Sequence, residues 1–421
     1  MKILVVGSGG REHAICWAFS RGNGRKIFCA DGNAGIADIA KCVNIKPHEI
    51  GKLVEFAAIE GIDLTFVGGE LPLCLGISDE FQSRNLRIIG VDSLASRLES
   101  SKAFAKDFMT RHGIPTARYK IADSISQARK ILESGFFQED SVVIKADGLA
   151  GGKGVIVAEN KDEAVEALEN LEIIAGKDAT KRIVLEERLI GKEVSQIIFS
   201  DGQHFALMPP VRDHKRLLDG DRGPNTGGMG TIAEWNLLSE TQRDEIIERI
   251  IKPTLLGCQK DGFQLKGILF LGLMLTKDGA KVLEYNVRFG DPETQVILPL
   301  LETDLLEISE AILAGELDKI EIKWKPASAA CVILASEGYP QKAKTGQKIF
   351  GLHELSNLSD VMVFHAGTSR DSKGDLVTSG GRVLGITAIA DNLQNALANA
   401  YQAVSKVYFN GMQFRRDIGI S

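Results

Sequence analysis

The first hundred residues alternate short apolar runs with candidate helices. Four runs have the length and apolar character of strands, and each is followed by a turn that contains glycine: residues 2–6, 26–30, 64–67 and 87–89. The segments 11–20 and 52–60 between them are candidate helices. Strands that alternate with helices in this way predict an open parallel sheet flanked by helices. Ligands on such sheets bind beyond the carboxyl ends of the strands.

The pattern changes after residue 100. A helix is expected over 101–112, because His112-Gly113-Ile114-Pro115 is a stop signal. A further change in composition lies near residues 324–326. We therefore predict three or four packed α/β units. The strands expected after residue 112 are 142–145, 155–158, 182–187, 194–200, 267–275, 281–286, 328–335, 361–366 and 382–389, with helices at 162–171 and 392–409.

Composition and charge exclude several classes of protein. The net charge of −6 over 421 residues gives no electrostatic basis for binding nucleic acid or an anionic membrane, although a phosphate ligand fits a local basic pocket. The six cysteines are scattered without a Cys-x-x-Cys pair, which argues against a disulfide framework and a zinc site. The chain begins directly with a strand, and no apolar run is long enough to span a bilayer. We expect a cytoplasmic protein.

The first glycine-rich segment, Gly7-Ser8-Gly9-Gly10-Arg11-Glu12-His13, follows a strand and precedes a helix. Glycines let the backbone approach an oxygen-rich ligand, and the amides of a helix N-terminus favour an anion. Asp31 has the place of the ribose-binding carboxylate in a dinucleotide site. Glu12, however, replaces the third glycine of that motif and repels a pyrophosphate, whereas Arg11 favours a single phosphate group. The segment fits a monophosphate site best, with a dinucleotide site or a structural turn as alternatives.

A second glycine-rich segment joins two expected strands at residues 145–155. Its length and its basic residues, Lys145 and Lys153, exceed what a hairpin requires and favour a lid over a polyphosphate. It lacks the Gly-Lys-[Ser/Thr] ending of a Walker A loop. An oversized hairpin loop is the alternative. Residues 185–193 carry carboxylates at a strand end, which suit ribose hydroxyls or a solvated loop.

Residues 284–293 form the most specific cluster. On a strand, Glu284 and Asn286 share one face, and Arg288 continues that face if the strand persists. Paired hard oxygens suit Mg²⁺, whose octahedron is completed by phosphates and water. An arginine beside them suits a transferring phosphoryl group. The alternative is a surface set of ion pairs, in which a carboxylate after two apolar residues would be poorly solvated.

Residues 213–230 combine charged residues with glycines over a long stretch. We expect one long unstructured loop here. Loops of this length are commonly functional, with a disordered linker as the alternative.

Together these motifs resemble the ATP-grasp ligases, and specifically the phosphoribosylamine–glycine ligase family. The likeness extends over essentially the whole chain and includes the C-terminal motifs at 365–368 and 380–384. It implies an α/β protein with three domains. These are an open parallel-sheet (Rossmann-like) domain at 1–100 for the phosphoribosyl substrate, an ATP-grasp domain at 101–325 with its lid at about 120–190, and a small α/β domain at 326–421.

The resemblance also implies a role for each matching position. ATP would lie between two small sheets, with Mg²⁺ or Mn²⁺ held by Glu284 and Asn286. Asp213, Lys215 and Arg288 would act on glycine and on the transferring phosphoryl group. The implied ATP-binding residues, of which 186–189 would face adenine, are Lys102, Lys145, Gly151, Gly152, Lys153, Gly154, Glu186, Glu187, Leu189 and Glu193. The implied substrate-binding residues are Gly9, Gly10, Arg11, Glu12, Asn33, Glu70, Asn225, Thr226, Gly227 and Asp291.

The implied reaction joins glycine to 5-phosphoribosylamine in purine biosynthesis, with ADP and phosphate released through a glycyl phosphate intermediate. Its partners would be small molecules only, and the protein a monomer. Another ATP-grasp carboxylate–amine ligase, an NAD-dependent dehydrogenase and a non-catalytic nucleotide sensor are alternatives. Glu12 counts against the dehydrogenase. The constellation of Glu284, Asn286 and Arg288 counts against the sensor, which needs no groups for phosphoryl transfer.

Overall fold

The first sheet consists of five parallel strands. The computed structural model describes residues 1–137, 141–148, 154–176, 179–355 and 357–420. The first elements are β1 (Lys2–Gly7), α1 (Gly10–Ser20), β2 (Lys26–Asp31), β3 (Lys41–Val43), α2 (Ile50–Glu60), β4 (Leu64–Val67), α3 (Glu70–Cys74), α4 (Ile77–Ser83), β5 (Ile88–Ile89) and α5 (Ser93–Ser100). The strand order is β3-β2-β1-β4-β5, which confirms the predicted open parallel sheet. The prediction missed β3, which is only three residues long.

A small antiparallel sheet follows. Its elements are α6 (Lys102–Arg111), β6 (Tyr119–Ala122), α7 (Ile125–Glu133), β7 (Val142–Ala146), β8 (Val155–Ala158), α8 (Lys161–Ala175) and β9 (Ile183–Glu187), with strand order β6-β9-β7-β8. The hydroxyl of Ser101 accepts a hydrogen bond from Phe104 N at the start of α6. Gly113, with φ of 68°, follows the helix and confirms the predicted stop.

The largest sheet has nine antiparallel strands. The remaining elements are β10 (Lys192–Asp201), β11 (Phe205–Leu207), β12 (Val211–Asp213), β13 (Arg216–Leu218), β14 (Arg222–Asn225), β15 (Gly230–Ala233), α9 (Glu240–Ile246), α10 (Lys252–Lys260), β16 (Lys266–Thr276), β17 (Gly279–Asn286), α11 (Thr294–Leu300), α12 (Leu305–Ala314), β18 (Ser328–Ala335), β19 (Val361–His365), β20 (Thr368–Arg370), β21 (Leu376–Thr378), β22 (Arg382–Ala390) and α13 (Leu393–Val404). A π-helical turn, Ile247–Ile251, joins α9 to α10. The order is β17-β16-β10-β12-β15-β18-β22-β19, with β11 paired to β10. The sheet therefore continues past residue 325.

Two expectations about local structure are wrong. Residues 213–230 are not one unstructured loop, because β13 and β14 pair as an antiparallel hairpin within them. The last helix ends at Val404 rather than at residue 409. Beyond it the chain turns, and Tyr408 then exchanges two backbone hydrogen bonds with Phe350 in an isolated β-bridge.

The first sheet packs directly on the nine-stranded sheet. One apolar core joins Leu4 and Phe28 to Ile198 and Leu269. A second core contains Phe66 together with residues of β10, α11 and β18. This packing places the carboxyl ends of the parallel strands against the segment that follows β17. Within the described part of the chain, no helix is long and apolar enough to cross a membrane.

Candidate active site

The first glycine-rich segment lies between β1 and α1, and Glu12 fills its interior. The Glu12 carboxylate accepts hydrogen bonds from Gly9 N and from Arg11 Nε, both at 2.6 Å. A Cβ at Gly7 would lie 2.5 Å from Glu12 Cγ, and one at Gly68 would overlap the same side chain. Glycine at these positions therefore makes room for a buried carboxylate between helix and strands.

Arg11 lies where the first sheet meets the segment after β17. Its Nη1 donates to Phe289 O at 3.1 Å. Burial disfavours the charged guanidinium, but the carboxylates of Glu12, Glu70 and Asp291 outweigh that effect and raise the pKa of Arg11. The guanidinium is therefore a permanent cation at the carboxyl edge of the sheet.

Asn33 joins the N-terminal domain to the C-terminal strands. Its Nδ2 donates to Ser8 O at 2.8 Å and to His365 O at 2.7 Å, while Oδ1 accepts from the backbone N–H groups of Gly35 and Ile36. His365 N in turn donates to His13 Nδ1 at 2.8 Å. The amide of Asn33 uses its donors and acceptors within the protein. Asn33 thus shapes the predicted pocket through the backbone it holds.

Arg288, which follows β17, points towards the carboxyl edge of the first sheet, where it contacts Glu70. The strand β17 ends at Asn286, but the guanidinium folds back so that Nη2 donates to Asn286 Oδ1 at 3.1 Å. Nη2 also lies 2.7 Å from Glu99 Oε1, and Nε lies 3.4 Å from Glu70 Oε2. The second Glu99 oxygen accepts from Val287 N at 2.8 Å. The buried Glu99 and the partly exposed Glu70 therefore fix the direction of Arg288.

A buried row of three charges connects α6 to the small sheet. Glu186 Oε1 lies 2.8 Å from Lys145 Nζ, and Glu186 Oε2 lies 2.8 Å from Lys106 Nζ. Burial lowers the pKa of Lys106 to about 8 despite the attraction of Glu186. Lys145 Nζ also donates to Leu283 O at 3.2 Å, which brings it beside β17. The Glu186 carboxylate is therefore paired with the two lysines. At this position the backbone of Glu186, not its side chain, is left to face the adenine base of ATP.

Glu284 lies among two lysines predicted to contact ATP and a third predicted to act on glycine and the transferring phosphoryl group. We call Lys102, Lys145 and Lys215 the lysine cluster. Burial alone would raise the pKa of Glu284, but Lys215, Lys145 and Lys102, in decreasing order, lower it below its usual range. Glu284 is therefore an ionised carboxylate at neutral pH. The spacing of Glu284 and Asn286 on β17, together with Arg288 bonded to Asn286, brings the predicted set together.

A pair of carboxyl groups lies near Lys215. Burial, and then the charge of Glu293, raise the pKa of Asp213 well above its usual range. Burial also raises the pKa of Glu293. Lys215 Nζ lies 3.0 Å from Glu193 Oε2, and the carboxylates of Glu193, Glu284 and Asp213 outweigh burial and raise the Lys215 pKa. The Lys215 ammonium group therefore stays charged, whereas the raised pKa values of Asp213 and Glu293 move the titration of these carboxyl groups towards neutral pH.

Arg382, from the C-terminal strands, connects two predicted substrate-binding residues. Its Nη2 lies 3.2 Å from Asp291 Oδ2, and its Nη1 donates to Asp291 O at 2.8 Å and to Gly227 O. Gly227 N donates to the Tyr339 hydroxyl at 2.9 Å. A Cβ at Gly9 would lie 3.2 Å from Asp291 Oδ2, so this carboxylate also borders the N-terminal segment.

The other predicted residues lie in several places. Gly10 backs onto Gln295, and Gly154 O accepts from Ala146 N at 2.8 Å. Glu187 pairs with Arg118 at 2.7 Å and with Lys281 at 3.5 Å, away from the lysine cluster. Leu189 is half-buried, Asn225 is exposed, and Thr226 donates to Lys215 O. Gly151, Gly152 and Lys153 lie outside the described residues.

Sequence reasoning missed four residues of this site: Glu99, Lys106, Glu293 and Arg382. Two of them carry a signal in the sequence. Glu99 follows Ala95 by four positions, so a carboxylate lies on the apolar face of α5. Lys106 follows Lys102 by four positions and shares its face of α6. The roles of Glu293 and Arg382 depend on contacts between distant segments, which spacing along the chain does not show.

Three family models match consecutive parts of the chain. They are the phosphoribosylglycinamide synthetase N domain at residues 1–99, the ATP-grasp (A) domain at residues 100–294 and the C domain at residues 329–421. The chain belongs to the phosphoribosylglycinamide synthetase family. The predicted resemblance and the three-domain α/β architecture are thereby confirmed, and the dehydrogenase and sensor alternatives are wrong.

Individual relatives match this chain over essentially its full length. A phosphoribosylamine–glycine ligase of Caldanaerobacter subterraneus is 47% identical over 423 residues and covers 99% of both chains. A trifunctional purine biosynthetic protein of Gallus gallus is 45% identical, and the chain spans 42% of its length. The crystal structure of a phosphoribosylamine–glycine ligase from Thermotoga maritima matches with a TM-score of 0.84, 35% identity and full coverage of both chains. A biotin carboxylase domain from Hydrogenobacter thermophilus, 18% identical with a TM-score of 0.73, shares the fold.

Proposed function

We propose that this member of the phosphoribosylglycinamide synthetase family joins glycine to 5-phosphoribosylamine, with ATP converted to ADP and phosphate. One observation carries the proposal: Glu284, kept ionised by the lysine cluster, and Arg288, held by Glu99, precede Phe289, whose carbonyl oxygen accepts from Arg11. A polyphosphate, a carboxylate and a phosphorylated amine need this combination of groups. The names of the full-length relatives support the same substrates.

Lys102, Lys145 and β17 suit the triphosphate of ATP. Lys145 lies on β7 of the small sheet, and Lys102 Nζ donates to Gly148 O, just after β7, at 3.4 Å. Both ammonium groups would balance the charge of phosphate oxygens. Glu284 and Asn286 offer an ionised carboxylate and an amide oxygen, the hard donors that Mg²⁺ or Mn²⁺ accepts, so the residues present fit such an ion. A bound ion would neutralise charge on the phosphates.

Glycine's own carboxylate is a poor acylating group, because its oxygen is a bad leaving group. In the proposed route a carboxylate oxygen of glycine attacks the γ-phosphorus of ATP, the bond to ADP breaks, and glycyl phosphate forms. The nitrogen of phosphoribosylamine then attacks the carbonyl carbon, phosphate leaves, and the amide nitrogen loses a proton. The protein supplies position and charge rather than a covalent nucleophile.

Particular residues suit each part of this route. Lys215 is a permanent cation, and Arg288 is a guanidinium group held in place by Asn286. We place both beside the transferring phosphoryl group. Asp213 and Glu293 have raised pKa values, so either carboxyl group suits proton exchange with an amine. Arg11 and the amides of the N-terminal segment suit the single phosphate of phosphoribosylamine, which we assign to the domain at 1–100.

An isotope experiment tests the route. Glycine labelled with ¹⁸O in its carboxylate should transfer one labelled oxygen to inorganic phosphate for each amide formed, as measured by mass spectrometry. An adenylating enzyme would place the label in AMP. Unlabelled phosphate beside stoichiometric amide would contradict glycyl phosphate while leaving the substrates correct. Absence of glycine-dependent ADP release would contradict the substrates.

We assign the activity to a cytoplasmic monomer. The six cysteines are all free thiols, and four of them are buried, which suits a reducing compartment. Sedimentation of the active protein at the mass of a single chain would support this assignment.

A further inference from the structure

The hairpin β13–β14 connects two sets of residues that are predicted to act on the substrates. Asp213 and Lys215 precede it, and Thr226 and Gly227 follow it. Residues 221–225 of the hairpin are exposed, so little apolar burial holds it in place. Its position depends on polar contacts at its turn and at its base.

The turn of the hairpin docks on the last residues of the described chain. Asp219 Oδ1 accepts from Arg416 N at 2.8 Å, and Gly220 N donates to Asp417 Oδ2 at 2.7 Å. Asp221 Oδ1 accepts from Arg415 Nη1 at 2.6 Å. Three successive residues of the turn are therefore held by three successive residues of the C-terminal segment.

Arg415 is the centre of this contact. Its side chain is fully buried and forms a two-pronged pair with Asp417, with 2.7 Å from Nε to Oδ1 and 2.7 Å from Nη2 to Oδ2. Nη1 is directed to the hairpin, where it meets Asp221 and the carbonyl oxygen of Arg216 at 3.3 Å. A guanidinium fork can satisfy both sides at once, whereas a lysine cannot.

The base of the hairpin has a second attachment to the same segment. His214 is buried; its Nδ1 lies 3.0 Å from Gly230 O, and its Nε2 accepts from Gly419 N at 3.0 Å. This residue lies between Asp213 and Lys215. The C-terminal segment thus holds the hairpin at both ends.

We infer that the C-terminal segment 415–419, acting through Arg415, positions Lys215 and the 225–227 backbone for glycine. Arg415 is a positioning residue, because its contacts are to Asp221, Asp417 and the Arg216 carbonyl rather than to a reacting atom. The inference rests on the proposed function for the identity of the substrate. On this inference, residues 415–419 help to determine the affinity for glycine.

The test compares Arg415→Lys and Asp221→Gly with the matched control Arg416→Ala, which removes an exposed charge but leaves the backbone N–H to Asp219. Glycine takes a position near Asp221 φ of 52° without strain. We expect the apparent KM for glycine to rise at least fivefold in both variants, with the KM for ATP within twofold of the unaltered chain. Asp221→Asn keeps an acceptor for Arg415 and should restore part of the glycine affinity.

A second measurement is independent of activity. Amide hydrogen exchange in residues 216–225 should accelerate at least tenfold in Asp221→Gly, while exchange in β10 and β16 stays unchanged. Unchanged exchange in the hairpin, or equal rises in the KM values for glycine and ATP, would overturn the inference. If the unaltered protein shows no ligase activity, the proposed function fails, and the exchange measurement still decides whether the segment positions the hairpin.

Discussion

The N-terminal segment and the lysine cluster satisfy their polar groups in different ways. In the N-terminal segment, Glu12 accepts from Gly9 N and Arg11 Nε, and the neighbouring Asn33 donates to Ser8 O and to His365 O, so contacts within the protein set the shape of the segment. Around the lysine cluster, charged side chains balance one another across short distances, as Glu186 does between Lys145 and Lys106. The first region is a shape fixed by contacts with backbone groups, and the second is a set of paired charges.

Arg11→Ala should have the largest effect, because it removes the one permanent cation of the N-terminal segment. Loss of a charged hydrogen bond to phosphate costs about 1.5–3 kcal/mol, which raises the KM for phosphoribosylamine roughly 10- to 150-fold. The KM for ATP should stay near its original value. Arg11→Lys, which keeps the charge, is the control. A rise in the ATP KM instead would place the nucleotide in the N-terminal domain.

Glu284→Gln tests the other region. The amide keeps the shape but removes the charge among the lysines, so turnover should fall at least tenfold, or about 1.4 kcal/mol. The loss should be greatest when Mg²⁺ is limiting. Steady-state kinetics over a range of Mg²⁺ concentrations measure it. Full activity at limiting Mg²⁺ would show that Glu284 is not a ligand of the ion.

Glu12→Gln tests whether the N-terminal segment is held by its own carboxylate. The amide loses the ionic contact with Arg11 Nε, and we expect about 1 kcal/mol of lost stability against unfolding. Urea denaturation measures this loss, with the exposed Glu55→Gln as its control. Equal stability of the two variants would mean that the carboxylate serves the ligand rather than the fold.

The smallest expected effect concerns pH. Glu293 raises the pKa of Asp213, so Glu293→Gln should move the acidic limb of the pH profile for glycine to lower pH. The raised pKa of Asp213 also makes the free energy of unfolding depend on pH. Between the ordinary and the raised value the unfolded chain has released the proton and the folded chain retains it, so stability falls as pH rises through that window. A limb that stays in place would show that Asp213 titrates independently of Glu293.

Local patterns account for much of the fold. Buried runs such as 2–6 and 267–275 read directly as strands, and a stop signal located the end of α6. The hairpin within 213–230 was missed because its strands are short and exposed, with polar contacts rather than an apolar pattern to hold them. Its attachment to Arg415 joins residues nearly two hundred positions apart, which no local pattern shows.

Part of the candidate site was equally readable. Glu284 and Asn286 followed from strand alternation, while their relation to the lysine cluster needed the folded chain. Glu12 illustrates the limit. The sequence showed that it breaks a dinucleotide motif, but its partners Gly9 and Arg11 and the space at Gly68 come from three-dimensional packing.

The hydrogen bond from Asn33 to His365 spans 332 positions of the sequence. During synthesis Asn33 leaves the ribosome long before β19 has been made. The N-terminal segment therefore acquires its final contacts only after most of the chain has been synthesised. Contacts of such separation slow folding, because the loop between them must close first. A chain that the ribosome releases before residue 365 therefore lacks one of the two acceptors of Asn33, and its predicted pocket is incomplete.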